Sequence, residues 1–174
     1  MGVDCSSNSF AYSVFDGEEL VQYGEFSFGK GDAWHRMNNA QRVITGLMNE
    51  GVFEGIEKIF IESSVYVNNR KTVILLSNAL GAALSPLAKP GVDIIEVHPM
   101  LWQNYIGNKT FSKEEKTELA NKHPDKKPAW LKEEMRRVRK QRTKDWVYKN
   151  YGVIVKSDDL SDAIGVGYWG VRNG

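Results

Sequence analysis

Ile59-Phe60-Ile61-Glu62-Ser63-Ser64 runs three large apolar residues straight into a carboxylate. Such a run reads as the end of a buried strand, and an acid closing it is costly unless its charge is compensated. Two other stretches repeat the arrangement. Gly2-Val3-Asp4-Cys5-Ser6-Ser7 puts an acid inside a short opening strand, and Asp158-Asp159-Leu160-Ser161-Asp162-Ala163-Ile164 puts acids at a helix start. Acids converging in one fold are most cheaply compensated by a hard divalent cation such as Mg²⁺, which takes oxygen ligands. The leading expectation is metal-dependent phosphoryl-transfer chemistry.

Outward from residue 59, the pattern alternates between strand and helix signals. Residues 2–5, 10–15 and 19–28 read as three strands, with Asp16-Gly17 as a hairpin-type turn between the second and third. Met37, Val43, Ile44, Leu47 and Met48 recur at helical spacing within a helix over 33–50. Residues 57–62 are the fourth strand. Asn68-Asn69 then opens a helix of about 18 residues, striped by Val73, Leu76, Leu80, Ala83, Leu84 and Leu87 and stopped by Pro90-Gly91. Residues 92–97 form a fifth strand, apolar on both faces like a buried parallel one. A Pro-initiated helix covers 99–106, a basic helix 129–150 ends at Gly152, and a last helix covers 158–171. The stretch 108–128 is Lys-rich, broken by Pro124 and Pro128, and reads as a mobile insertion or loop. The order β-β-β-α-β-α-β-α-α-α implies an α/β domain, a mixed sheet with helices on both faces.

The composition bounds what this domain does. At 174 residues, with 41% hydrophobic and 26% charged, it is one ordinary globular domain able to bury about 70% of its unfolded surface. No apolar run approaches the roughly 20 residues that span a bilayer, the N-terminus lacks the order of a signal peptide, and Cys5 is the only cysteine. A reducing, cytoplasmic setting without membrane partners is expected. Net charge is +1, but its distribution is uneven. Between Lys126 and Lys149 stand ten Lys/Arg against three acids, a local +7 that leaves −6 for the rest. A basic stripe on an acidic body is the electrostatic footprint of a phosphate-backbone binder, set against the bland reading of a solvated helix face.

Each acid also has a bland reading. Asp4 is a turn-starting acid, Glu62 a surface acid at a strand end, and Asp159 and Asp162 ordinary acids favoured by a helix dipole. Asp158 fits that last reading best, as an N-cap or first-turn acid, whereas Asp159 and Asp162 at i, i+3 share a helix face. Jointly these readings weaken, because all four acids fall in elements that flank one sheet centre. Four carboxylates hold two Mg²⁺ about 4 Å apart, one activating the attacking water and one stabilising the leaving oxygen. His35, His98 and His123 lack zinc-site spacing, and Gly29-Lys30-Gly31 matches neither a P-loop nor a dinucleotide fingerprint.

Four motifs in order resemble the RuvC-type Holliday-junction resolvases of the RNase H-like superfamily, over most of the chain. They are Gly2-Val3-Asp4; Ile61-Glu62-Ser63-Ser64 with Asn68-Asn69-Arg70 and Leu80-Gly81-Ala82-Ala83; Val97-His98-Pro99 to Ile106-Gly107; and Asp159-Leu160-Ser161-Asp162-Ala163-Ile164. The resemblance implies an RNase H-like mixed five-stranded sheet of order 3-2-1-4-5 flanked by helices. It implies that Asp4, Glu62, Asp159 and Asp162 bind two Mg²⁺, with Mn²⁺ able to substitute, and that Lys140 is an active-site lysine, with Arg142 and Lys144 as competing registers. It further implies a homodimer in recombination and repair, joined largely through the helix 69–87, that nicks four-way DNA junctions symmetrically.

The DNA contacts expected are Arg70, Lys71, Arg136, Arg137, Arg139, Arg142 and Lys144 on phosphates, with Tyr66 stacking on a splayed base or packing on the long helix. Trp130, Trp146, Tyr148 and Tyr151 interleave with the basic run, most of them as its buried stripe. Three departures from the family pattern point to a divergent, phage-encoded branch. The 108–128 connection is longer and more basic, the Pro-initiated helix lacks the family's second lysine (Gln103 is nearest, Lys109 beyond), and the aromatic after Glu62 is displaced to Tyr66. The rival readings are an RNase H-like nuclease of RNA–DNA hybrids or flaps, and a non-catalytic junction-binding module.

Overall fold

The computed structural model describes residues 1–63 and 69–174. Five strands, β1 (Gly2–Cys5), β2 (Ser9–Asp16), β3 (Glu19–Ser27), β4 (Lys58–Glu62) and β5 (Asp93–Val97), form one sheet of order β3-β2-β1-β4-β5. The first three pair antiparallel as a meander, while β1–β4 and β4–β5 pair parallel. This is the mixed α/β sheet expected. The helices among the described residues are α1 (Ala33–Asn49), α2 (Arg70–Leu84), α3 (Pro99–Tyr105), α4 (Lys113–Lys122), α5 (Pro128–Tyr151) and α6 (Asp158–Asn173). None is long and apolar enough to cross a membrane.

Alternation along the strands builds two layers of core. Val3, Ile59 and Ile61 point to one face and pack with Ala40 and Ile44 of α1 and Ala79, Ala83 and Leu84 of α2. Phe60 points the other way and packs with Val97, Trp102, Ile106 and Val166 beneath α3 and α6. Helix α6 is the most deeply buried, with Ser161–Gly167 and Gly170 all inaccessible.

Its depth depends on missing side chains. A Cβ at Gly2 would collide with the Ala163 carbonyl and the Gly167 backbone, and one at Gly167 would come within 2.6 Å of Phe15 Cε2 and Ser13 Oγ. With hydrogens there instead, the α6 backbone lies directly on β1 and β2. The buried Ser13 hydroxyl donates to the Ala163 carbonyl at 2.8 Å and pins the contact.

Three sequence expectations are corrected. The 108–128 stretch is not simply a loop, because Lys113–Lys122 is helical. Ser112 and Glu115 form a reciprocal capping box, which nucleates a helix that has no buried residue and hence no apolar stripe to betray it. Strand β5 is an edge strand, and Ile94 on it is 39% exposed rather than buried between two layers. Helix α2 has 15 residues and ends before the expected Leu87. The aromatics of α5 divide: Trp130, Trp146 and Tyr151 are half-buried and Tyr148 is exposed. Tyr66 lies outside the described residues.

If hydrogen-for-methyl clearance seats α6, Gly167→Ala should lose on the order of 1–3 kcal/mol by overpacking. Gly46→Ala, where an added Cβ meets nothing within 4 Å in α1, should gain up to about 1 kcal/mol. Urea denaturation of both variants reads the contrast.

Candidate active site

The register of β1 against β4 pairs Val3 with Ile61. Asp4 and Glu62 each stand one residue further on, so both carboxylates leave the same face at the carboxyl ends of neighbouring parallel strands. That is where open α/β sheets bind ligands. The same face carries α6, whose Ser157 N-cap opens the first turn with Asp159 and whose second turn carries Asp162. Asp158 is a first-turn acid, not the cap, and its carboxylate binds Lys144 Nζ at 2.7 Å.

Asp4, Glu62 and Asp162 each feel the acids around them. Burial raises Asp4 to about 8, and Glu62, Asp162 and Asp159 push in the same direction. Burial likewise raises Glu62 to about 7, with Asp162 adding to it. Asp162, only 3% exposed, is raised by burial while Lys140 opposes. Burial alone would lower Lys140, but Asp162 and Asp4 hold its ammonium above the usual lysine range. Such mutual destabilisation of carboxylates is expected where positive charge is missing.

Each acid except Asp4 also has a protein donor on one oxygen. Lys140 Nζ binds Asp162 Oδ2. The indole N–H of Trp102, a fully buried residue, donates to Glu62 Oε2 at 2.8 Å, and the Ser9 hydroxyl donates to Asp159 Oδ2 at 2.8 Å. The second oxygen of each accepts no hydrogen bond among the described residues, and Asp162 Oδ1 is buried without any partner. Among the described residues no three His, Cys, Asp or Glu side chains stand close enough together to hold a metal ion as they are placed. An orphaned buried carboxylate oxygen, oriented neighbours and an all-oxygen donor set nevertheless fit a hard divalent cation.

Of the cations expected nearby, α5 separates Lys140 from its rivals. Lys140 faces Asp162, Lys144 is engaged by Asp158 and the Lys156 carbonyl, and Arg142 lies over the Phe111 ring and against Glu115. Arg136 and Arg139 line a cavity that opens on Glu62 and Asp162. Arg137 instead turns outward to Glu134 at 2.6 Å, and Arg70 and Lys71 are exposed at the start of α2. Sequence reasoning missed Trp102 and Ser9. Nothing local in the sequence pairs an indole with an acid 40 residues earlier, although Ser9 sits in the polar run after Asp4 that marks a turn.

No protein-family model matches the sequence, and no curated protein matches it. The fold does have solved counterparts. Thermus thermophilus RuvC in complex with a Holliday junction substrate superposes with a TM-score of 0.65 at 14% identity, over 97% of this chain and 89% of that one. A second structure of Thermus thermophilus RuvC gives 0.59 at 14% identity, over 97% and 90%. The chain has the RuvC fold. That likeness covers nearly all of the chain and is one of fold, at a sequence identity of 14%.

The raised acids set the pH dependence of the metal-free protein. Unfolding returns Asp4 from about 8 to 3.8 and Glu62 from about 7 to 4.5. Across that window the native state holds protons that the unfolded chain has released, so stability falls as pH rises from about 5 to 8. Asp4→Asn should flatten this fall and exceed the wild type in stability near pH 8. Urea midpoints in EDTA at several pH values check it.

Proposed function

We propose that this chain is a divalent-metal-dependent, structure-selective endonuclease that cuts branched DNA, with the four-way junction as its main substrate. The observation that carries this reading is that Asp4 lies in the electrostatic field of Glu62, Asp162 and Asp159, with Asp162 Oδ1 buried and unpartnered and with Glu62 and Asp162 at the inner end of a basic cavity. The RuvC fold, seen in a protein solved with a Holliday junction, supports the choice of substrate.

Asp4, Glu62, Asp159 and Asp162 would hold the cations, two Mg²⁺ or Mn²⁺ in each site. Bound there, they supply charge for the phosphodiester and acidify an attacking water. The chain's own residues do the positioning. Trp102 fixes one oxygen of Glu62 and Ser9 one oxygen of Asp159, which leaves the other oxygen of each available to a cation. Lys140 carries a fixed positive charge at Asp162 and offers a donor to a phosphate oxygen. The basic residues of α5 hold the backbone without reading sequence.

A second copy completes the reading. Helix α2 leaves Val73 and Ile74 41% and 47% exposed, apolar surface that supports a homodimer with two sites acting on symmetric strands. A hybrid- or flap-cutting RNase H-like enzyme would use the same acids, and a binding module would not need them.

A mobile four-way junction, an RNA–DNA hybrid and a flap, each offered with Mg²⁺, separate these readings. Paired symmetric nicks confined to the junction are expected, and preferential cutting of the hybrid would overturn the junction assignment. Asp4→Asn and Asp162→Asn should each lower cleavage by a factor on the order of 10³, about 4 kcal/mol of barrier. Both should keep junction binding, read by gel shift in EDTA.

A further inference from the structure

The segment 108–128 is a wall of the site. A cavity of about 620 Å³ lies between this segment, α3 and α5 and ends at Glu62, Asp162 and Lys140. Phe111 and Lys116 come from the segment, and Lys132, Arg136 and Arg139 come from α5. Beyond the acids at its inner end, every charged side chain facing this space is therefore cationic. Two polar atoms on its wall are buried without partners, Asn108 Oδ1 and Arg139 Nε. Asn108 itself is anchored, its amide donating to the Arg139 carbonyl at 2.8 Å and to Thr143 Oγ1 at 2.9 Å. That anchor fixes the segment to α5.

The geometry points to a binding groove for one unpaired strand of nucleic acid, leading into the acid site. This deepens the reading of the site as a nuclease, on which it rests. The lining selects the ligand. Phe111 on the wall can stack only on a base that is not already paired and stacked within a duplex, so the strand that enters is a single one. The lining has the two components that single strands require, a run of cations for phosphates and an aromatic ring for a base. The Phe111 ring is steadied on one face by the Arg142 guanidinium, 4.7 Å from its centroid, and Arg142 is held by Glu115. The capped helix α4 thus places Lys116 and braces Phe111 through Glu115.

The test is metal-free binding, in EDTA, of a fluorescent oligothymidylate and of a hairpin duplex with the same number of phosphates, across a salt series. Lys116→Gln/Lys132→Gln should weaken the oligothymidylate about tenfold and reduce its log–log salt slope by about 1.4, two phosphate contacts on a single strand. Phe111→Ala should weaken it about tenfold. Phe111→Leu, which keeps the bulk but not the π face, should weaken it too while melting like the wild type. Lys113→Gln/Lys122→Gln, an equal charge change on residues outside the cavity, should alter it less than twofold, and hairpin binding should change less than twofold throughout. Equal losses from the two lysine pairs, equal losses for hairpin and single strand, or no loss at all would overturn the groove. Because no cleavage is read, a protein that cuts junctions but ignores the groove variants refutes only this inference. One that binds single strands through the groove yet never cuts refutes only the nuclease reading.

Discussion

The contact between the α6 backbone and the first strand is what the rest of this protein depends on. Gly2 lies against Ala163 and Gly167 with no room for a side chain on either side, and Ser13 locks the approach with a hydrogen bond. Layers packed through ordinary side chains stand well apart, roughly 10 Å for two stacked sheets. Here the small residues let α6 come closer, and its first two turns bring Asp159 and Asp162 into the field of Asp4 and Glu62. Moving the helix outward by one methyl would loosen the core and spread the acids.

That closeness has an electrostatic consequence. Carboxylates that raise one another's proton affinity are a stored cost in the metal-free protein, only partly relieved by Lys140. The relief is local, since the cation reaches one oxygen of Asp162 and leaves the other buried and unpaired. A site in this state favours any ligand that brings positive charge and accepts oxygen donors. Packing and chemistry are thus coupled, because the same close approach that secures the helix creates the demand for a cation.

The second layer of organisation lies in α5 and the segment before it. The basic run is not a uniform face. Lys140 turns to the acids, Lys144 to the start of α6, Arg137 to solvent, and Arg136 and Arg139 to the cavity. Helical geometry alone spreads successive side chains around the axis, and the neighbours then assign each direction a different partner. The segment 108–128 adds a wall to one of those directions, which makes a groove of what would otherwise be open surface.

The order of the five strands, five of the six described helices and the mixed sheet were legible in the residues alone, and so were the acids as candidates. Those depend on local periodicity and on the cost of an acid beside apolar residues, both of which are written in neighbouring positions. The sequence also supplied the preference for Asp159 over Asp158, through i, i+3 spacing. Packing alone selects which basic residue meets the acids, because Lys140, Arg142 and Lys144 lie two or four residues apart on one helix whose rotation about its axis the neighbours set. Only the tertiary structure revealed Trp102 on Glu62, a partnership made by folding α3 under β4, and the exposure of β5, which follows from strand order. Helix α4 lies between the two cases. Its capping box was legible as Ser112-x-x-Glu115, but with no apolar stripe it carried no periodic signal, and its use as a wall depends on where Asn108 ties the chain to α5.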